Sequence, residues 1–157
     1  MSALTNAMLL PAGEWHGALR RYVAVIATGN LVWEFLHMPL YTIWQEETPG
    51  KIVFAALHCT GGDILIALSS LTAALLLVGS GMWPAGRFRA VAALTVLLGV
   101  SYTIFSEWLN IVVRAAWTYS DLMPVVSLFG FEVGLSPLFQ WIVVPSAAFW
   151  WARRRAQ

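Results

Sequence analysis

The chain has 157 residues, 59% of them hydrophobic and only 11% charged, with a formal net charge of +1 and a mean hydropathy of +0.72. Such apolarity excludes an ordinary soluble domain, and a near-neutral chain without a basic stripe gives no nucleic-acid signal. The single cysteine, Cys59, cannot form an intrachain disulfide, and the length allows one small domain, residues 1–157.

Residues 1–19 read as a short tail with an interfacial turn around Trp15. They lack the positive n-region of a signal peptide, so Arg20-Arg21 is read as a topology anchor. Apolar segments follow at about 21–44, 52–78, 89–114 and 136–151, each near the roughly 20 residues needed to cross a hydrocarbon core. Their runs are continuous rather than alternating, which argues against a β-barrel. Pro49-Gly50 marks a turn between the first two segments, and three glycines with Pro84 mark the next connection. Ser136-Pro137 has the form of a helix start, with a hydroxyl N-cap and proline at the first helical position, and Pro145 should kink that helix. The stretch 115–135 is long for a bundle connection, and its apolar run is too short to span, so it is expected at the interface or as a lid. The expected fold is all-α: a polytopic membrane protein of four transmembrane helices in an antiparallel bundle, with an interfacial segment between the third and fourth.

Charge sets the expected orientation. Arg20, Arg21, Arg87, Arg89, Arg153, Arg154 and Arg155 flank one side, while Glu46, Glu47, Asp121 and Glu132 flank the other. The positive-inside rule then puts both termini in the cytoplasm, as in a multi-pass protein of the bacterial inner membrane. The partners expected are the lipid bilayer and a second copy or another membrane subunit.

Polar groups inside these segments are the functional signal. Each carboxylate near the centre of a membrane helix costs roughly 2.5–3.5 kcal/mol, so such groups must be protonated, paired, metal-bound or wetted. With a rise of about 1.5 Å per residue, Glu34 and His37 lie about 20 and 24 Å from the Arg21 end, and Glu107 about 27 Å from the Arg89 end. His58 and Asp63 lie about 10 and 18 Å in from Lys51, so all five fall in the middle and outer half of the membrane. Asn30, Glu34, His37 and Tyr41 share one helix face, as do Thr95, Gly99, Thr103 and Glu107, with Asn110 and Arg114 continuing the latter. His58 and Asp63 are five apart and face different neighbours unless Gly61-Gly62 distorts the helix, whereas Cys59 and Asp63 share a face.

Glu34-x-x-His37 is the carboxylate–imidazole spacing of helical-bundle metal centres. The leading expectation is therefore an Fe, Mn or Zn site built from Glu34, His37, His58 and Glu107. Asp63, Asn110, Asn30, Tyr41, Cys59 and Arg114 would support it or carry protons. Haem b between His37 and His58 ranks lower, because carboxylates surround the pair. From another class comes acid/base chemistry on a lipid- or isoprenoid-like substrate, with Trp33, Trp108, Gln140 and Trp141 forming its pocket. A proton or ion pathway would need an oligomer. The plainest alternative is a structural or partner-binding subunit whose polar groups only join helices.

Three stretches, Trp33-Glu34-Phe35-Leu36-His37-Met38-Pro39-Leu40-Tyr41, His58-Cys59-Thr60-Gly61-Gly62-Asp63 and Ser106-Glu107-Trp108-Leu109-Asn110, resemble a family of small bacterial four-helix membrane proteins with no assigned activity. The resemblance covers most of the chain and implies no cofactor or substrate, so the expected fold rests on the spans and charges.

Overall fold

The computed structural model describes residues 12–153. Four long helices are joined in a ring: α1 (Ala12–His37), α2 (Pro49–Val78), α3 (Phe88–Glu107) and α4 (Leu135–Arg153). Packing runs from α1 to α2, α2 to α3, α3 to α4 and α4 back to α1. Three stretches are long and apolar enough to cross a membrane, Glu14–Leu40, Pro49–Val78 and Phe88–Val113. Their outward residues are apolar: Leu36, Leu65, Leu76 and Leu97 are all more than half exposed, as suits lipid contact. α4 is shorter, at 19 residues, with Gln140 among its apolar positions and Pro145 inside it.

The first helix differs from its expected bounds at both ends. The segment from Ala12, including Trp15, is helical rather than an interfacial turn, and residues 1–11 lie outside the described residues, as do Arg154 and Arg155. At the other end the helix stops at His37, well before residue 44, and Met38–Leu40 form a 3-10 turn around Pro39. Proline disfavours the α conformation in the residue before it and cannot donate a backbone bond, so the chain tightens and leaves the helix there. A single helical turn, Ile43–Glu46, leads to Thr48, an extended N-cap before Pro49 at the start of α2. α2 runs unbroken through Gly61-Gly62. α3 passes without a gap into a π-helical stretch, Trp108–Val113.

The connection after this stretch, expected at the interface or as a lid, contains a β-hairpin, so the fold is not purely α. Strands β1 (Val125–Leu128) and β2 (Phe131–Gly134) pair antiparallel, with Leu128 opposite Phe131. Phe129 and Gly130 both have positive φ, 51° and 85°, as a two-residue primed turn requires. The hairpin is anchored to the end of α1. Thr42 N–H donates to the Thr118 carbonyl at 3.0 Å, Ser120 N–H to the Leu40 carbonyl at 2.9 Å, and Ser120 Oγ to the Pro39 carbonyl at 3.0 Å.

The core is a stripe along the inner faces. Tyr22 and Ile26 of α1 meet Ala67 and Leu71 of α2, Val91 of α3, and Trp141, Val144, Ala148 and Phe149 of α4. Two glycines permit the closeness of α4. A Cβ on Gly99 would lie 2.2 Å from Trp141 Cε3, and one on Gly29 would lie 2.8 Å from Val144 Cγ1. Small residues at helix contacts serve this purpose where lipid removes the hydrophobic drive between helices. Gly62 is the opposite case, since an added Cβ there meets nothing within 4 Å. Gly99→Ala should therefore destabilise the protein by about 1–3 kcal/mol through overpacking. Gly62→Ala should be neutral or stabilising by up to about 1 kcal/mol through helix propensity. Thermal unfolding of both variants in one detergent checks the pair, and equal melting temperatures would count against the close α3–α4 contact.

Candidate functional site

Helix periodicity brings the polar side chains inward. Asn30, Glu34 and His37 are buried on one side of α1, with Tyr41 buried beyond its end, and Thr95, Gly99, Thr103 and Glu107 are buried along α3. The buried hydroxyls satisfy themselves locally: Thr60, Thr95 and Thr103 each donate to the carbonyl four residues back, at 2.7–3.0 Å. A carboxylate offers only acceptors and cannot do this, so its donors must come from elsewhere.

α4 supplies the principal donors. Gln140, nearly fully buried, places its Nε2 3.1 Å from Asn30 Oδ1, 3.0 Å from Glu34 Oε1 and 3.0 Å from Asp63 Oδ2. One side-chain amide thereby joins α1, α2 and α4. Three acceptors around this nitrogen fix the orientation of the amide, since its oxygen would repel all of them. The amide has only two hydrogens for the three. The Glu34 and Asp63 carboxyls are thereby brought to one nitrogen, where two bare negative charges in a buried space would be costly.

His37 continues the chain. Its Nε2 lies 3.2 Å from Glu34 Oε2 and its Nδ1 3.1 Å from Ser136 Oγ, while Trp33 Nε1 donates to the same Oγ at 3.2 Å. Ser136 Oγ has two lone pairs and one hydrogen, so it serves His37 Nδ1 as donor or as acceptor while accepting from Trp33, and the pocket accommodates either imidazole tautomer. Ser136 was expected to cap α4. The helix instead starts at Leu135, and the hydroxyl orients the imidazole.

Glu107 takes its donor from the hairpin connection. Tyr119 donates its phenolic hydrogen to Glu107 Oε2, and Gly134 N–H donates to the Tyr119 oxygen at 2.8 Å. Burial, and then the Glu107 carboxylate, push the Tyr119 phenol far above its ordinary value, so it stays protonated and remains a donor. Trp117 Nε1 is buried nearby and, among the described residues, closes no hydrogen bond. Tyr119 also pairs with Tyr41, with ring centroids 5.6 Å apart.

These groups surround a cavity of about 730 Å³. Glu34, His37, Asp63, Glu107, Gln140, Trp141, Tyr41 and Cys59 line it, as do His58, Asn110 and Arg114. Three expected residues do not. Asn30 acts through Gln140, Trp33 acts through Ser136, and Trp108 is exposed against Phe105. His58 reaches the cavity from an exposed position and stacks on Phe54, with centroids 5.8 Å apart and planes at 17°. Because α2 is undistorted at its glycines, His58 and Asp63 keep the angular separation their spacing gives. Among the described residues no three His, Cys, Asp or Glu side chains converge as metal ligands. Tyr119, Trp117 and Ser136 are the residues sequence reasoning missed. Each acts on a partner distant in sequence or on a separate element, so no local spacing announces it.

No family model matches the chain, and neither the curated proteins nor the solved structures include a significant match.

Removing the Tyr119 hydroxyl leaves Glu107 without its donor and Gly134 N–H without its acceptor. Tyr119→Phe should lower stability by about 1–3 kcal/mol. The loss should shrink in a Glu107→Gln background, because the two changes remove one interaction. Strict additivity in the double variant would show that the contact carries no energy.

Proposed function

We propose that this is a four-span protein of the bacterial inner membrane, with both termini cytoplasmic, whose cavity takes a lipid- or isoprenoid-like substrate and exchanges a proton with it. The observation that carries the chemistry is that one Gln140 nitrogen, with two hydrogens, faces three acceptors, two of them the Glu34 and Asp63 carboxyls. A hydrogen shared by these two carboxyls makes the pair an acid, and the His37 imidazole, held by Ser136, receives or returns a proton through Glu34. Ligand space comes from the cavity, whose volume lies in the range usual for small-molecule sites. Phe54, His58 and Tyr102 line it from exposed positions on α2 and α3, so an apolar molecule can reach it between those helices without passing through water.

The fourth span is supported by the closed ring of contacts, in which α4 touches both α1 and α3. Its 19 residues extend about 28 Å, close to the thickness of a hydrocarbon core. Reporter fusions after Gln45 and after Gln157 should report opposite compartments, and the same compartment for both would overturn this topology.

Metal binding is the second reading. The four expected ligands Glu34, His37, His58 and Glu107 all line the cavity, which favours it. Against it, both His37 nitrogens already have partners, so a bound Fe, Mn or Zn ion would have to break one of those bonds. Metal content of the purified protein decides between the two.

The test of proton exchange uses membrane lipid extract in heavy water. The native protein should introduce deuterium into a specific apolar lipid. Glu34→Gln and His37→Ala should each slow this by about 100-fold or more, the usual worth of a general acid or base. Identical lipid profiles with the native protein and both variants would leave only a structural or partner-binding role.

A further inference from the structure

We infer that the cavity selects an amphiphile with an anionic head, held at the cavity mouth by Arg114 and Lys51 while its apolar body lies toward Glu34 and Asp63. This rests on the cavity taking a lipid-like ligand, and it names the class of that ligand.

The cavity is polarised along its length. Lys51 and Asp63 both line it from α2, twelve residues apart, so about 18 Å of helix separates them. Glu107 and Arg114 line it from the third helix and its π-helical extension, seven residues and roughly 10 Å apart. The acids therefore lie deep and the cations lie at the opening. At the opening, Lys51 Nζ is engaged by Glu47, 2.9 Å from Oε1 and 2.8 Å from Oε2. Arg114 is exposed and, among the described residues, forms no ion pair. The mouth thus carries one uncompensated positive charge on a side chain that lines the cavity.

The deep acids stand off from this charge. Glu107, roughly 10 Å along the helix from Arg114, lies beyond the screening length of about 8 Å at physiological ionic strength and accepts from Tyr119 instead. A guanidinium free of protein partners and set beside an apolar cavity suits a phosphate or carboxylate, which it can grip with two parallel hydrogen bonds. Between the two ends Met38, Ile43, Phe54 and Trp141 give the wall apolar surface, interrupted by His58, Ser106 and Asn110. The apolar part suits a hydrocarbon body, which a small free anion lacks.

The experiment measures binding of four probes to the native protein in maltoside micelles: dodecyl phosphate, dodecanol, dodecyltrimethylammonium and inorganic phosphate. Dodecyl phosphate should bind at least 10-fold tighter than either other amphiphile, and inorganic phosphate should not compete with it. Arg114→Gln should weaken dodecyl phosphate about 10-fold and leave dodecanol unchanged. Lys51→Gln should have a smaller effect, since Glu47 shares that cation. Gly62→Leu fills open space in the cavity wall and should abolish binding of both amphiphiles with their heads intact. Equal binding of the three amphiphiles, preference for the cationic head, or an unaltered Arg114→Gln variant would overturn the anionic-head assignment while leaving the cavity reading standing. Competition by inorganic phosphate would likewise overturn it, by making the site one for a free anion. If no amphiphile binds, or if Gly62→Leu binds as well as the native protein, the cavity reading itself fails and this assignment falls with it.

Discussion

A carboxyl group placed among apolar helices has to find hydrogen-bond donors, and in this protein those donors fix how the helices meet. Hydroxyl side chains impose no such demand: Thr60, Thr95 and Thr103 bond back to their own helices and leave their neighbours unconstrained. Glu34, Asp63 and Glu107 have no equivalent option. The Gln140 amide serves the first two from α4, His37 serves Glu34 from the same helix, and Tyr119 serves Glu107 from the connection. Unpairing any of these groups would cost more than the modest gain of making an ordinary interhelical bond, because a buried unsatisfied group loses its full solvation. The network consequently acts as a register device as well as a chemical one.

Apolar packing makes the network geometrically available. Gln140 and Trp141 are consecutive on α4 and serve two directions. Trp141 lies against Gly99 of α3, at a distance no larger residue there would allow. Gln140, about 100° further round the helix, is thereby turned toward α1 and α2. Gly29 gives Val144 the same access on the α1 side. The two glycines let α4 sit close enough for a side chain of modest reach to touch three acceptors on two other helices.

What could be read from the sequence follows from which signals are local. Helix phase is local, so Asn30, Glu34 and His37, and separately Thr103 and Glu107, could be placed on buried faces from spacing alone, whereas Tyr41, buried too, lies beyond the end of α1. The three membrane-length helices were legible from their apolar runs. The start of α1 was missed because the sparsely apolar stretch near Trp15 resembles a tail, although Pro11 just before Ala12 is a helix-start signal. The hairpin was missed for a different reason. Val125-Val126 and Leu128-Phe129 read as one apolar run, yet the polar Ser127 and Glu132 face each other across the pair and Gly130 supplies the turn. The roles of Tyr119 and Ser136 were not legible, since each depends on a contact that only the closed fold creates.

The difference between Glu107 and the other two acids has a mechanical consequence. Glu34 and Asp63 are held by α4, a rigid element packed on two neighbours, so their geometry persists as long as the ring of helices does. Glu107 is held through Tyr119, whose own position depends on the hairpin at Gly134 and on the backbone pairing of residues 118–120 with the end of α1. Few apolar contacts bury that connection: Leu122 and Phe129 are exposed, and Met123 and Val133 are its buried apolar side chains. Segments with so little buried surface open at lower free-energy cost than packed helices. The cavity therefore joins a firmer wall, where Glu34, Asp63 and His37 sit, to a looser wall carrying Trp117. The difference arises because the chain places its acids on different partners: an amide on a packed helix for Glu34 and Asp63, and a phenol on a thinly buried connection for Glu107.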